Sequence, residues 1–149
     1  MDLELSGKRA IVTGSTRGIG RAIADRLVQE GCSVAICSRN AAEVKSAVSA
    51  LQAIAPNGAK VTGNVADVAD TDQLASWIDS SAKAFGGLDI AIANVSALSG
   101  APDEDSWRTA MEIDMLGTVR TVEAALPHLE RSEAAAIVAV SSTAALEAF

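Results

Sequence analysis

Short unbroken apolar runs alternate along this chain with segments whose apolar residues recur every three or four positions. That alternation restricts the fold more than any other feature. Residues 9–13 read as a buried strand bounded by Gly14; Ile19, Ile23 and Leu27 then follow at four-residue steps, one face of a helix that ends near Gly31. Residues 34–37 form a second apolar run. Val44, Val48 and Leu51 mark a second helix, closed by the turn Pro56-Asn57-Gly58. A third strand falls near 60–65, and Leu74, Ile78 and Phe85 line the next helix, which stops at Gly86-Gly87. Residues 88–93 and 136–140 supply the fourth and fifth strands. Between them the spacing predicts one long helix over 106–129, capped by Asp105 or Ser106. Its apolar face is expected to run Met111, Met115, Val119, Val122, Leu126, Leu129, with Pro127 kinking or ending its last turn.

Strands joined in succession by helices require right-handed crossovers and a parallel sheet covered on both faces. The strands agree, since they read as continuous apolar runs rather than alternating ones. The expected class is therefore α/β, a doubly wound parallel sheet of the Rossmann-like kind. Such sheets bind ligands beyond the carboxyl ends of their strands.

Composition removes several classes. With 49% apolar and 21% charged residues, the 149-residue chain has the balance of one globular domain. The longest apolar run, 134–140, is far below the ~20 residues that span a bilayer. An acidic start, Met1-Asp2-Leu3-Glu4, is unlike a signal peptide. A net charge of −7 without a basic stripe argues against nucleic acid. One histidine and two cysteines supply too few ligands for a zinc site, so no metal is expected. Cys32 and Cys37, five positions apart in an extended segment, are too distant for a disulfide and suit a reducing, cytoplasmic setting.

The first strand runs into Thr13-Gly14-Ser15-Thr16-Arg17-Gly18-Ile19-Gly20, which opens directly into a helix. Gly14 permits a tight turn, Gly18 a close approach of backbone to a pyrophosphate, and Gly20 close packing of helix on strand. The helix N-terminus offers unpaired N–H groups and the positive end of its dipole to phosphates. This T-G-x-x-x-G-x-G spacing resembles the short-chain dehydrogenase/reductase family. Further similarities follow in order: Asp67-Val68 after the third strand, Asn94 in the turn after the fourth, Asp114 in Ile113-Asp114-Met115-Leu116-Gly117, and Ser141-Ser142 after the fifth.

The resemblance implies hydride transfer between a nicotinamide and a carbonyl or alcohol carbon of a small molecule, such as a 3-oxoacyl thioester. It gives the backbone and side chains of Gly14, Ser15, Arg17, Gly18, Ile19 and Gly20 to the dinucleotide, with Asp67 and Val68 at the adenine and Asn94 in the turn. Ser142 would steady the substrate oxygen, although Ser141 beside it could do the same. Asp114 stands where the family has an asparagine that orients a water; it could do so still, or be a plain helix-surface residue. After the second strand the chain reads Ser38-Arg39-Asn40, with no carboxylate to hold a ribose hydroxyl. Ser38, Arg39 and Arg17 suit a 2′-phosphate instead, so NADP(H) is expected over NAD(H).

The family's acid/base pair is a Tyr-x-x-x-Lys, and this sequence contains no tyrosine. Residues 1–149 are therefore expected to be an NAD(P)-binding domain cut before that helix, with five of the seven strands the resemblance implies, and inactive alone. The alternative is a dinucleotide-binding module without turnover. The long helix at 106–129 is expected to join copies into a homo-oligomer.

Overall fold

The computed structural model of the chain describes residues 3–98 and 101–142. Five parallel strands alternate with helices: β1 (Arg9–Val12), α1 (Gly18–Gln29), β2 (Ser33–Ser38), α2 (Ala41–Ile54), β3 (Val61–Val65), α3 (Thr71–Phe85) and β4 (Ile90–Ala93). Then come α4 (Glu104–Ala110), a π-helical segment (Met111–Leu116), α5 (Gly117–Leu129) and β5 (Ala136–Ala139). The sheet order is β3-β2-β1-β4-β5, so the chain reverses direction across the sheet between β1 and β4. Register is tight: Ile11 faces Ala35 on one side and Ala91 on the other.

Strands β1, β2 and β4 divide their side chains between two cores. Val12, Val34, Ile36, Ile90 and Ile92 pack with Ala24, Val28 and Leu51 under α1 and α2. Ile11, Ala35, Cys37 and Ala91 pack with Leu74, Trp77, Ile78 and Leu129 under α3 and α5. Both faces of these three strands are covered, which is why they carry no polar alternation, whereas the edge strand β5 is exposed along its length.

Caps explain where helices begin. The Asn40 side chain accepts from the amides of Ala42 and Glu43, and Asp70 accepts from Asp72 and Gln73 while Gln73 Nε2 returns to Asp70 Oδ2 at 2.6 Å. Gly86, at φ +78°, closes α3 in the left-handed conformation.

Three expectations change. Helix α1 buries Gly20, Ala24, Leu27 and Val28, whereas Ile19 is 65% exposed, because the helix faces the sheet one position away from the expected stripe. The expected helix over 106–129 is broken in three. It starts at Glu104, where Asp103 Oδ1 accepts from the Ser106 amide at 2.8 Å, so neither Asp105 nor Ser106 is the cap. Its inner face consists of small residues, Gly117, Thr121 and Ala125, followed by Leu129. A Cβ on Gly117 would stand 2.8 Å from Val68 Cγ2, so only glycine allows this close approach. Of the expected apolar stripe, Met111, Met115, Val119 and Leu126 face outward, and Leu129 is buried.

Candidate functional site

The turn after β1 lies at the carboxyl edge, where the sheet order reverses. Gly14 and Gly18 sit at φ +61° and +60°, the left-handed region that glycine enters without strain. At Gly20 a Cβ would overlap the Asn94 amide and lie 2.5 Å from the Gly14 carbonyl oxygen. Asn94 closes the turn from the end of β4. Its Nδ2 donates to the carbonyl oxygens of Thr13 and Gly14, both at 3.1 Å, and its backbone N–H donates to Thr13 Oγ1 at 3.0 Å. Sequence reasoning missed Thr13, whose hydroxyl also reaches the Ile92 carbonyl.

Ser15 points inward. Its buried hydroxyl donates to the Val12 carbonyl at 2.6 Å and accepts from the Cys37 amide, while its own N–H donates to the Cys37 carbonyl. It ties the turn to β2, and its polar groups are taken by protein rather than turned to the mouth.

Arg17 precedes α1 in an extended conformation, with no side chain capping the helix and no acid in its first turn. Among the described residues the N–H groups of Gly18, Ile19 and Gly20 form no hydrogen bond. Three amides without protein acceptors at the positive end of a helix, framed by glycines, are suited to an anion. A dinucleotide pyrophosphate fits it on that geometry, since a Cβ at Gly18 would meet no protein atom within 4 Å.

Beside this mouth, β2 ends at Ser38, whose hydroxyl accepts from the Asn40 amide at 3.2 Å. Arg39 and Arg17 are exposed, and among the described residues neither forms an ion pair. A carboxylate does approach here: Glu43 Oε2 accepts from Thr16 Oγ1 at 3.1 Å, linking the first turn of α2 to the glycine turn. Glu43 lies five residues beyond the end of β2, outside the Ser38-Arg39-Asn40 stretch. The available signal was an acid in the first turn of the next helix.

Asp67 is half-buried, and its Oδ1 accepts from the Ala69 amide at 3.0 Å. Val68 is buried against Gly117, and Arg120 Nη1 donates to its carbonyl, so its side chain is core rather than pocket wall. Asp114 lies in the π-helical segment and is half-buried. Its Oδ1 accepts from the Ala97 amide at 2.6 Å, and its carbonyl accepts from Thr118 Oγ1. The plain-surface alternative for Asp114 is thus set aside: the carboxylate holds the loop that follows β4. π-Turns of this kind cluster at functional sites. Ser141 and Ser142 are exposed beyond β5, on the same edge as Asn94, where the Val140 amide still pairs with the Ala93 carbonyl.

The two thiols are buried, and Asp89 and His128 are held in pairs of their own. Burial pushes the Cys37 thiol up to about 12 and that of Cys32 to about 11, so neither is a nucleophile at neutral pH. Asp89 sits at the opposite edge of the sheet, where hydrogen bonds from Arg9 hold its carboxyl well below the usual carboxylate range. His128 Nε2 pairs with Asp79 Oδ1 at 2.6 Å. Among the described residues no cluster of ligands could hold a metal.

The sequence profile described as short chain dehydrogenase matches residues 8–149. The chain belongs to this family. Proteins similar to it include isoepoxydon dehydrogenase patN of Penicillium expansum, 35% identical over 93% of this chain and 53% of that protein. Human dehydrogenase/reductase SDR family member 4 is 35% identical over 95% of this chain and 51% of its own length. Among solved structures, a short chain dehydrogenase from Burkholderia cenocepacia in complex with NADP matches with a TM-score of 0.85 at 35% identity, over 95% of this chain and 58% of that one. A short-chain type dehydrogenase/reductase from Mycobacterium ulcerans matches with a TM-score of 0.86 at 29% identity, over 94% of this chain and 53% of that one. The chain spans about half the length of the curated relatives it matches. Those relatives are named as dehydrogenases and reductases, which does not favour a module without turnover.

Proposed function

We propose that this chain is the coenzyme-binding part of an NADP(H)-dependent short-chain oxidoreductase acting on a ketone or secondary alcohol. The observation that carries the proposal is the mouth of three unpaired amides at Gly18, Ile19 and Gly20, held open by the Asn94 bridge to Gly14. The amides grip the pyrophosphate, and Arg17, Arg39 and Ser38 receive the 2′-phosphate through charge-assisted hydrogen bonds. Asp67 borders the adenine. A nicotinamide bound there would supply or accept a hydride at the substrate carbon. Ser142 donates a hydrogen bond to the substrate oxygen as charge develops there.

Asp114 acts through the loop after β4, which it fixes at the Ala97 amide, and so shapes the floor of the substrate pocket. The family's chemistry calls for a tyrosine activated by a lysine as proton donor, and this chain carries no tyrosine; an unperturbed phenol near pKa ~10 needs such a neighbour to exchange protons at neutral pH. Met111, Met115, Val119 and Leu126 form an outward apolar stripe that joins a second copy of the chain. Two buried, free cysteines suit the cytoplasm.

Titration with NADPH and NADH, followed by nicotinamide fluorescence, tests the coenzyme assignment. NADPH should bind more tightly, and Arg39→Ala should weaken it by about tenfold, a loss of ~1.4 kcal/mol, with NADH changed less than about threefold. Equal or tighter binding of NADH to the unaltered chain would refute the preference.

A further inference from the structure

We propose that Glu43 sets the degree of coenzyme discrimination, lowering the preference for a 2′-phosphate that Arg17 and Arg39 create. The proposal rests on the coenzyme assignment above and names a residue of the same site. Its basis is the hydrogen bond from Thr16 Oγ1 to Glu43 Oε2, 3.1 Å long, between two segments 27 residues apart. Thr16 lies between Ser15 and Arg17 inside the glycine turn. The bond therefore holds a carboxylate between the glycine turn and the turn after β2, the two segments to which the coenzyme assignment gives the adenosine end.

Glu43 is exposed, but its backbone is fixed. Its N–H donates to Asn40 Oδ1 at 3.2 Å in the first turn of α2, and an acid in that turn also favours the helix dipole. Dipole compensation alone would leave the side chain indifferent to direction. Here it turns toward the glycine turn and takes the Thr16 hydroxyl, while among the described residues it forms no ion pair with either arginine.

A carboxylate at this place acts oppositely on the two coenzymes. It can accept a hydrogen bond from a ribose 2′-hydroxyl, the role of an acid roughly 20 residues past the glycine motif in NAD-binding folds. Against a doubly charged 2′-phosphate it is repulsive, an effect worth on the order of three- to tenfold in affinity at low salt. The arginines and Glu43 thus pull in opposite directions. The chain accordingly binds NADH appreciably while still preferring NADPH.

The test is Glu43→Gln, which keeps an oxygen to accept from Thr16 and removes only the charge. Dissociation constants for NADPH and NADH are measured for both forms, at low and at high salt. NADPH should tighten by about three- to tenfold in the variant, NADH should stay level or weaken, and the NADPH gain should shrink as salt rises. Thr16→Val, which releases the carboxylate from its anchor, should shift the NADPH-to-NADH ratio in the same direction by a smaller factor. Equal change for both coenzymes, or none, would overturn the role of Glu43 and leave the coenzyme assignment standing. Failure of the unaltered chain to bind either dinucleotide would overturn that assignment, and this role with it.

Discussion

Asn94 Nδ2 donates to the Gly14 carbonyl oxygen at 3.1 Å, joining residues 80 positions apart across the sheet. The same nitrogen serves the Thr13 carbonyl. Asn94→Ala should cost about 1–3 kcal/mol, because two partly buried carbonyls lose their donor. Asn94→Asp should be worse, since it aims a carboxylate at both. Urea unfolding midpoints rank the three forms, and NADPH titration should show affinity falling in the same order.

Gly20→Ala removes the space that the Asn94 bridge needs. The added methyl would lie 2.5 Å from the Gly14 carbonyl oxygen, which is backbone and cannot swing aside. Overpacking of this kind costs about 1–3 kcal/mol. Coenzyme binding should be lost while circular dichroism still reports the helices. Unchanged NADPH affinity in this variant would count against the turn as the pyrophosphate seat.

At the far edge of the sheet, Asp89 receives Arg9 Nε and Nη2, each at 2.8 Å, the Arg9 amide at 2.9 Å and Ser132 Oγ at 2.6 Å. The fold lowers the Asp89 pKa, so its contribution is complete above the unfolded value of ~3.9 and is lost as pH falls toward the folded one. Asp89→Asn should destabilise by about 2–4 kcal/mol at pH 7, through the unpaired Arg9 and the lost acceptors. The gap between variant and parent unfolding free energies should hold from pH 7 to 5 and narrow below pH 4.

The outward stripe gives a prediction about assembly. Met115 and Val119 are 58% and 48% exposed, so replacing both with Glu removes no core contact. Sedimentation velocity should show the parent chain self-associating and the double variant shifted toward monomer, with stability changed by less than about 0.5 kcal/mol. A monomeric parent chain would contradict assembly through this stripe.

Much of the fold was legible because it depends on local signals. The turn Pro56-Asn57-Gly58 follows the end of α2, Gly86 ends α3, and apolar runs such as 34–37 have no solvated face to offer. The glycine turn was readable for the same reason. What escaped depends on partners distant in sequence. The break at Met111–Leu116 carries no proline or glycine, and its neighbours Asp114–Ala97 and Arg120–Val68 meet only in the folded chain. Likewise a period of apolar residues marks a sticky face without naming what covers it. In α5 the sheet-facing side is Gly117, Thr121 and Ala125, small enough for close approach, and the larger residues point away. Position in a motif assigns Ser15 and Val68 to the cofactor, yet their side chains serve the interior.

The most direct test is a two-dimensional amide NMR titration of the chain with NADPH. The account predicts that the largest shifts fall on the N–H groups of Gly18, Ile19 and Gly20, with smaller ones at Arg17 and Arg39. Saturable binding that leaves those three amides unmoved, or no binding at all, would contradict it.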